Sequence, residues 1–254
     1  MTAPLVFEGV AAGYRGRPVL RDISLSFAAG AVTGLVGPNG AGKTTLFRIA
    51  LRLLTPQIGT VRLQDKELAS WSATALARTI AYLPQEAEAH WPVQARKLVA
   101  LGRLPHCAAF ASLSGADEAA IDDALSRCDA KEFEGRRMDE LSAGERARLL
   151  FARALAVGAP VLLADEPAAH LDPAHQLRLM ELLRTEASRG TAVIVTLHDL
   201  SLASRFCDKV VVMNDGQVVA DGAANEVLDD TVLRSVFAIS ARRLENGIVP
   251  WQRV

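Results

Sequence analysis

Gly37-Pro38-Asn39-Gly40-Ala41-Gly42-Lys43-Thr44-Thr45 fits the pattern G-x-x-x-x-G-K-[ST], and its flanks decide how the chain folds around it. The apolar run Ala31-Val32-Thr33-Gly34-Leu35-Val36 before it reads as a buried strand. After it, Leu46, Ile49, Ala50, Leu53 and Leu54 recur at helical spacing, which predicts one apolar face of a helix. Strand, glycine loop and helix, in that order, form the context in which this pattern cradles phosphate. The glycines let backbone N–H groups converge on phosphate oxygens. The helix N-terminus adds partial positive charge, and Lys43 adds a full one. Thr44 offers a hydroxyl to Mg²⁺. The stretch implies a site for a nucleoside triphosphate.

Working outward, short runs rich in Val, Ile and Leu recur at 32–36, 79–83, 161–164, 192–197 and 209–213. Each is too short for a typical helix and reads as a strand covered on both faces. Helix-length segments lie between several of them, the alternation expected of an α/β fold with a largely parallel sheet. Asp172-Pro173 opens one such helix, with Asp172 as N-cap and Pro173 at the first position. Leu177, Met180, Leu183 and Ala187 mark its inner face, and Gly190 ends it. The stretch from about 87 to 157 breaks the rhythm. It reads as helices at 93–101, 117–127 and 144–157, a helical insertion into an α/β core of about 1–86 and 158–254. With no repeat, low-complexity tract or long linker, residues 1–254 read as one compound domain.

Composition narrows the class further. The 254 residues are 50% hydrophobic and 22% charged, which is globular and excludes wholesale disorder. A formal net charge of −1 argues against a dedicated nucleic-acid binder. Cys107, Cys128 and Cys207 have no metal-ligand spacing and are expected to be small buried thiols. No apolar run reaches 18 residues, and Met1-Thr2-Ala3-Pro4 lacks the marks of a secretory signal. The expected location is the cytosol or the cytosolic face of a membrane.

A second constellation supplies chemistry. Val161-Leu162-Leu163-Ala164-Asp165-Glu166-Pro167 is an apolar strand ending in two carboxylates. An Asp at such a strand end, beside a phosphate loop, can hold Mg²⁺ through water. The Glu that follows can polarise an attacking water as general base.

Leu141-Ser142-Ala143-Gly144-Glu145 opens an Arg-rich helix, and with it the chain resembles an ATP-binding-cassette (ABC) ATPase. That family's signature is usually Leu-Ser-Gly-Gly-Gln. Glu145 for Gln is a familiar variant, whereas Ala143 for the first Gly is a departure that adds a methyl where backbone approaches the γ-phosphate. The resemblance extends to Tyr14 as the aromatic that stacks on adenine. It extends also to Gln85, in Tyr82-Leu83-Pro84-Gln85, as the loop residue that touches Mg²⁺ and faces a permease. His198, in Thr196-Leu197-His198-Asp199, resembles the histidine that contacts the γ-phosphate. Ala168-Ala169-His170-Leu171-Asp172 matches the loop that crosses between paired cassettes, with Ala169 where many members carry Ser or Asn.

The resemblance implies a P-loop NTPase (RecA-like) fold: a mixed sheet core, an inserted helical subdomain and an N-terminal antiparallel β region. It implies ATP and Mg²⁺ as ligands, with Lys43, Glu166 and His198 catalytic and Thr44, Gln85 and Asp165 around the metal. Two copies would pair head to tail, so that Ser142, Ala143, Gly144 and Glu145 of one act on ATP held by the other.

Val99-Ala100-Leu101-Gly102-Arg103-Leu104-Pro105-His106, with Leu83-Pro84-Gln85 and Trp91-Pro92-Val93 before it, resembles a segment of importers for ferric siderophores, haem and cobalamin. Trp91 and Pro92 are candidates for shaping the groove that receives a permease. The implied partners are an integral membrane permease and, indirectly, a periplasmic substrate-binding protein, with the chain peripheral at the cytoplasmic face of the inner membrane. A soluble iron–sulfur assembly ATPase and the cassette of an exporter are the alternatives.

Overall fold

The computed structural model describes residues 4–85, 92–108, 111–244 and 247–254; Trp91 lies outside the described residues. Strands β1 (Leu5–Tyr14), β2 (Arg17–Phe27) and β3 (Val32–Val36) precede helix α1 (Lys43–Ala50). Strands β4 (Ile58–Leu63) and β5 (Lys66–Glu67) follow, then α2 (Ala73–Thr79), β6 (Ile80–Leu83), α3 (Ala95–Ala100), α4 (Gly115–Arg127) and α5 (Ala143–Leu155). Next come β7 (Val161–Ala164), α6 (Pro173–Ser188), β8 (Ala192–Thr196), α7 (Leu200–Phe206) and β9 (Lys209–Asn214). The chain continues through β10 (Gln217–Gly222), α8 (Ala224–Val227), α9 (Asp230–Phe237), β11 (Ile239–Leu244) and β12 (Gly247–Arg253). Two compact units result, Met1–Trp71 with Leu183–Val254, and Ser72–Leu182. The helical stretch expected over about 87–157 falls inside the second, which also takes in β6 and β7.

The first unit holds the anticipated N-terminal antiparallel sheet, ordered β2-β1-β4-β5. Alternation puts Leu5 and Phe7 inward, and a bulge between Phe7 and Val10 keeps Val10 and Ala12 on the same face. Gly9 sits in that bulge at φ 58°, in the left-handed region that glycine enters at little cost. Phe7 and Phe27 meet edge to face at 6.1 Å between ring centroids, a favourable aromatic geometry. The same unit contains a mixed sheet in which β3 lies between β8 and β9, parallel to both, with β10 antiparallel to β9. All five residues of β3 and all five of β8 are buried, which is why neither run alternates.

One expectation in this unit needs correction. The helix after the glycine loop ends at Ala50, and Leu53 is 72% exposed instead of continuing the apolar face. The chain turns at Arg52, whose φ is 56°, so the helical spacing no longer applies beyond it.

In the second unit β6 and β7 pair in parallel, Ile80 opposite Val161 and Leu83 opposite Ala164. Leu98, Ile121, Leu125, Leu149 and Phe151 from α3, α4 and α5 are buried in its core. The helix expected at 93–101 is α3, and a 3₁₀ stretch, Leu101–His106, continues it. Those expected at 117–127 and 144–157 are α4 and α5. Ser114 and Asp117 form a capping box that starts α4 two residues early, and α5 stops at Leu155. Among the described residues of 87–157 the only strand-like pairing is an isolated bridge, Gln94 with Arg137. Arg103 and Asp117 pair at 2.9 Å with side chains about one-tenth exposed, tying the 3₁₀ stretch to α4.

Helix α6 starts as read, with the Asp172 carboxylate accepting from the backbone N–H of His175. Met180, Leu183 and Ala187 are buried and Leu177 half-buried; Leu179 and Leu182 widen the stripe. Cys128 and Cys207 are buried, and burial pushes both thiols up to about 12, so they are inert fillers. Cys107 is only half-buried.

Candidate nucleotide site

The glycine loop is shaped by what surrounds it. Gly37 has φ 154°, and a Cβ there would lie 2.1 Å from the carbonyl oxygen of Met213, the next strand's backbone. Gly42 is the N-cap of α1 at φ 103°, and a Cβ there would lie 2.5 Å from Cδ2 of Leu20. Backbone contact excludes a side chain at Gly37, and the left-handed φ favours glycine at Gly42. Leu46 N–H donates to Gly42 O at 3.0 Å and begins the helix, whose first turn carries no acidic side chain. Its positive end is therefore not neutralised locally. Lys43 is 6% exposed, and its ammonium donates to Gly37 O at 2.7 Å and Pro38 O at 3.2 Å. The side chain thus folds back over the loop, placing its charge among the backbone groups that would surround phosphate. Asn39, Gly40 and Thr44 are exposed, while Ala41 and Thr45 are buried beneath.

Two more expected residues lie in this unit. His198 lies two residues past the end of β8 and is exposed. Leu35 stands opposite Thr196 in the parallel pairing of β3 with β8, and Leu197 N–H donates to Leu35 O at 3.1 Å. The carboxyl ends of β3 and β8 therefore lie side by side, which puts His198 at the sheet edge from which the glycine loop leaves. Such an edge is where α/β sheets bind ligands. Tyr14 ends β1 with 37% of its surface exposed. Arg48 of α1 donates from Nη1 to its hydroxyl at 3.2 Å, and the guanidinium lies 5.9 Å from the ring centroid.

The second unit carries the carboxylates. Asp165 N–H donates to Leu83 O at 2.8 Å, extending the β6–β7 ladder by one residue and fixing Asp165 at the strand end, 2% exposed. The Tyr82 hydroxyl lies 3.5 Å from Asp165 Oδ2. Glu166 takes φ 46°, a left-handed conformation that a non-glycine residue adopts at a cost. Its carboxylate meets Gln85, whose Nε2 donates to Oε2 at 2.6 Å. Gln85 and Glu166 thus meet although they lie 81 positions apart.

Ser142 caps α5. Its Oγ accepts from Glu145 N–H at 3.3 Å and its own N–H donates to Glu145 Oε2 at 2.7 Å. These bonds hold the Glu145 carboxyl below the usual range, the backbone bond from Ser142 foremost and its hydroxyl next. Glu145 in place of Gln is therefore a working member of a capping box. In the crossing loop, Ala169 N–H donates to Glu166 O at 3.1 Å and His170 takes φ 63°.

Reasoning from sequence missed three residues that touch this machinery: Arg48 against Tyr14, Tyr82 against Asp165, and His175 against Gly144. Tyr82 had a signal, since it lies three residues before Gln85 on a strand paired with β7. Arg48 and His175 had none, because their partners are 34 and 31 positions away in sequence.

The first unit thus carries the glycine loop and the second the strand-end carboxylates and the capped signature, and comparison with known proteins gives the family. The chain belongs to the ABC transporter family, whose model matches residues 20–169. It is 40% identical over 241 residues to the hemin import ATP-binding protein of Rhodococcus jostii, covering 95% of this chain and 82% of that relative. To the cobalamin import ATP-binding protein of Halobacterium salinarum it is 43% identical over 223 residues, covering 87% of this chain and 56% of the relative. The chain thus spans little more than half the length of the Halobacterium protein. A solved metal-chelate type ABC transporter in an inward-facing conformation superposes with a TM-score of 0.85 at 23% identity, over 99% of this chain and 98% of that one. At that identity the likeness speaks for the fold, which is that of an ABC ATPase cassette.

Proposed function

We propose that this chain binds and hydrolyses ATP to drive import of a metal chelate, namely a ferric siderophore, haem or cobalamin, through a partner permease. The observation that carries the reading is kinship above 40% identity with a cobalamin import ATP-binding protein, and close to it with a hemin one, in a chain that keeps Lys43, Asp165, Glu166 and His198. Tyr14 stacks on the adenine and the loop Gly37–Thr45 wraps the phosphates. Lys43 neutralises charge, and Glu166 with His198 positions the attacking water. The donors suited to Mg²⁺ are hard oxygens, the exposed Thr44 hydroxyl, the Asp165 carboxylate and the Gln85 side-chain carbonyl, and this chemistry fits the ion. When bound with ATP, Mg²⁺ would offset charge on the β- and γ-phosphates.

Two copies pair so that Ser142, Ala143, Gly144 and Glu145 of one complete the site of the other. The assembly sits at the cytoplasmic face of the inner membrane, served by a periplasmic substrate-binding protein. No helix among the described residues is long and apolar enough to cross a membrane, so transport requires a membrane-spanning partner. Deleting the gene and measuring growth on ferric siderophore, haem or cobalamin as sole source tests this. Loss of one uptake names the cargo, and unimpaired uptake of all three in a strain without a second such cassette overturns the import role.

A further inference from the structure

The imidazole of His175 occupies the space that a side chain at Gly144 would need. A Cβ built on Gly144 would lie 1.9 Å from Cδ2, 2.2 Å from Nε2 and 2.4 Å from Cγ of His175. Gly144 has no left-handed φ, so backbone conformation is not the reason for glycine here. Close approach of the ring is. The ring is itself held: Nδ1 lies 2.8 Å from Asp172 Oδ2, and the backbone N–H of His175 donates to Asp172 Oδ1 at 3.0 Å. A carboxylate only accepts, so Nδ1 carries the proton and the Cδ2–Nε2 edge is turned to Gly144. These bonds, the backbone one first, hold the Asp172 carboxyl below the usual range.

We infer that His175 is a positioning residue that locks the signature turn, Ser142 to Gly144, to the crossing loop that ends at Asp172. The inference rests on the proposed reading in which both segments face the ATP held by a second copy. Each has ties of its own: the signature turn has its capping box and a bond from Arg146 Nη1 to Leu141 O at 2.6 Å, and the crossing loop, left-handed at His170, has a bond from Gln176 Nε2 to Ala168 O at 3.1 Å. A ring wedged between them, with its orientation set by Asp172, makes the two move as one body. Donors aimed at developing charge need such fixing, since a shift of about 1 Å costs on the order of 10²-fold in rate.

The test is a cycle of four proteins: wild type, His175→Ala, Gly144→Ala and the double variant. ATPase rates are taken at saturating protein, and ATP affinity is measured in a Glu166→Gln background. His175→Ala should lower kcat about tenfold or more while leaving ATP affinity within about twofold, because the chain's own phosphate loop is untouched. Gly144→Ala alone should be more severe, since its methyl collides with the ring. In the double variant the methyl has room, so activity should return to the level of His175→Ala. Thermal melts identify any variant that fails to fold, and His175→Asn, which keeps a donor for Asp172 without the ring, should recover less than half of the lost kcat. If Gly144→Ala is as harmful without the imidazole as with it, or if His175→Ala turns over like wild type, the inference is overturned. Wild type and Lys43→Ala serve as controls: an inactive wild type, or unchanged ATP affinity in Lys43→Ala, would overturn the nucleotide reading itself.

Discussion

Gln85 donates its side-chain amide to the Glu166 carboxylate at 2.6 Å. The residue proposed as general base is thus held by the residue proposed to face the permease, and Glu166 itself sits at φ 46°. Glu166→Gln should keep ATP binding and lower turnover by about 10²-fold or more, because an amide fills the site but accepts no proton. Gln85→Ala should lower kcat less and, by removing one of the proposed Mg²⁺ donors, weaken binding of ATP with Mg²⁺ modestly. Steady-state ATPase assays beside equilibrium nucleotide binding check both.

Lys43→Ala should abolish ATP binding, not merely slow its hydrolysis. The ammonium is already held by Gly37 O and Pro38 O within the loop, and its loss leaves phosphate charge uncompensated. Equal ATP affinity in the variant and wild type would contradict the assignment.

Tyr14 and Arg48 predict a base-specific effect. Stacking of a base on an aromatic ring contributes about 1–3 kcal/mol. Tyr14→Ala should therefore weaken ATP binding about tenfold while leaving inorganic triphosphate binding unchanged. Arg48→Ala, which releases the Tyr14 hydroxyl and one face of its ring, should have a smaller effect of the same kind. Competition between the two ligands measures the ratio directly.

Ala143→Gly should be mild and tends to raise the rate, since it removes the methyl that separates this signature from the family's usual form. Ser142→Arg should be severe, breaking the capping box and driving bulk toward the facing nucleotide. In a dimer with one Ser142→Arg subunit, the ATP facing the altered signature should fail to hydrolyse. Normal hydrolysis there would show that the sites are not shared.

Asp117 provides a pH test. The Ser114 hydroxyl, the Ser114 N–H and Arg103, in that order, lower its carboxyl from the ordinary 3.8 to about 2. A depressed carboxyl contributes stability that is fully present above the unfolded value and is lost as pH falls toward the folded one. Asp117→Asn should thus destabilise the protein at pH 6, and the difference from wild type should shrink between about pH 4 and pH 2. Denaturant titrations at pH 6 and pH 3 check the sign.

The glycine loop, the strand ending in Asp165-Glu166 and the Asp172 cap were legible in sequence because their causes are local. A phosphate loop must be glycine-rich next to a strand and a helix, a buried strand is apolar without interruption, and a cap lies within three residues of the N–H it serves. Leu53 shows the limit of such reasoning: its helical spacing was right, but one left-handed residue at Arg52 ended the helix first.

What only the tertiary structure decided were contacts between residues far apart in the chain. Gln85 reaches Glu166, Arg48 reaches Tyr14 and the His175 ring reaches Gly144, and each depends on how strands and helices are brought together. The sequence by itself determined that the chain carries a glycine loop between strand and helix, a strand ending in two carboxylates and a signature that opens a helix. Which side chains orient them was decided by packing, because spacing along a chain specifies only near neighbours, whereas close approach across it depends on the whole fold.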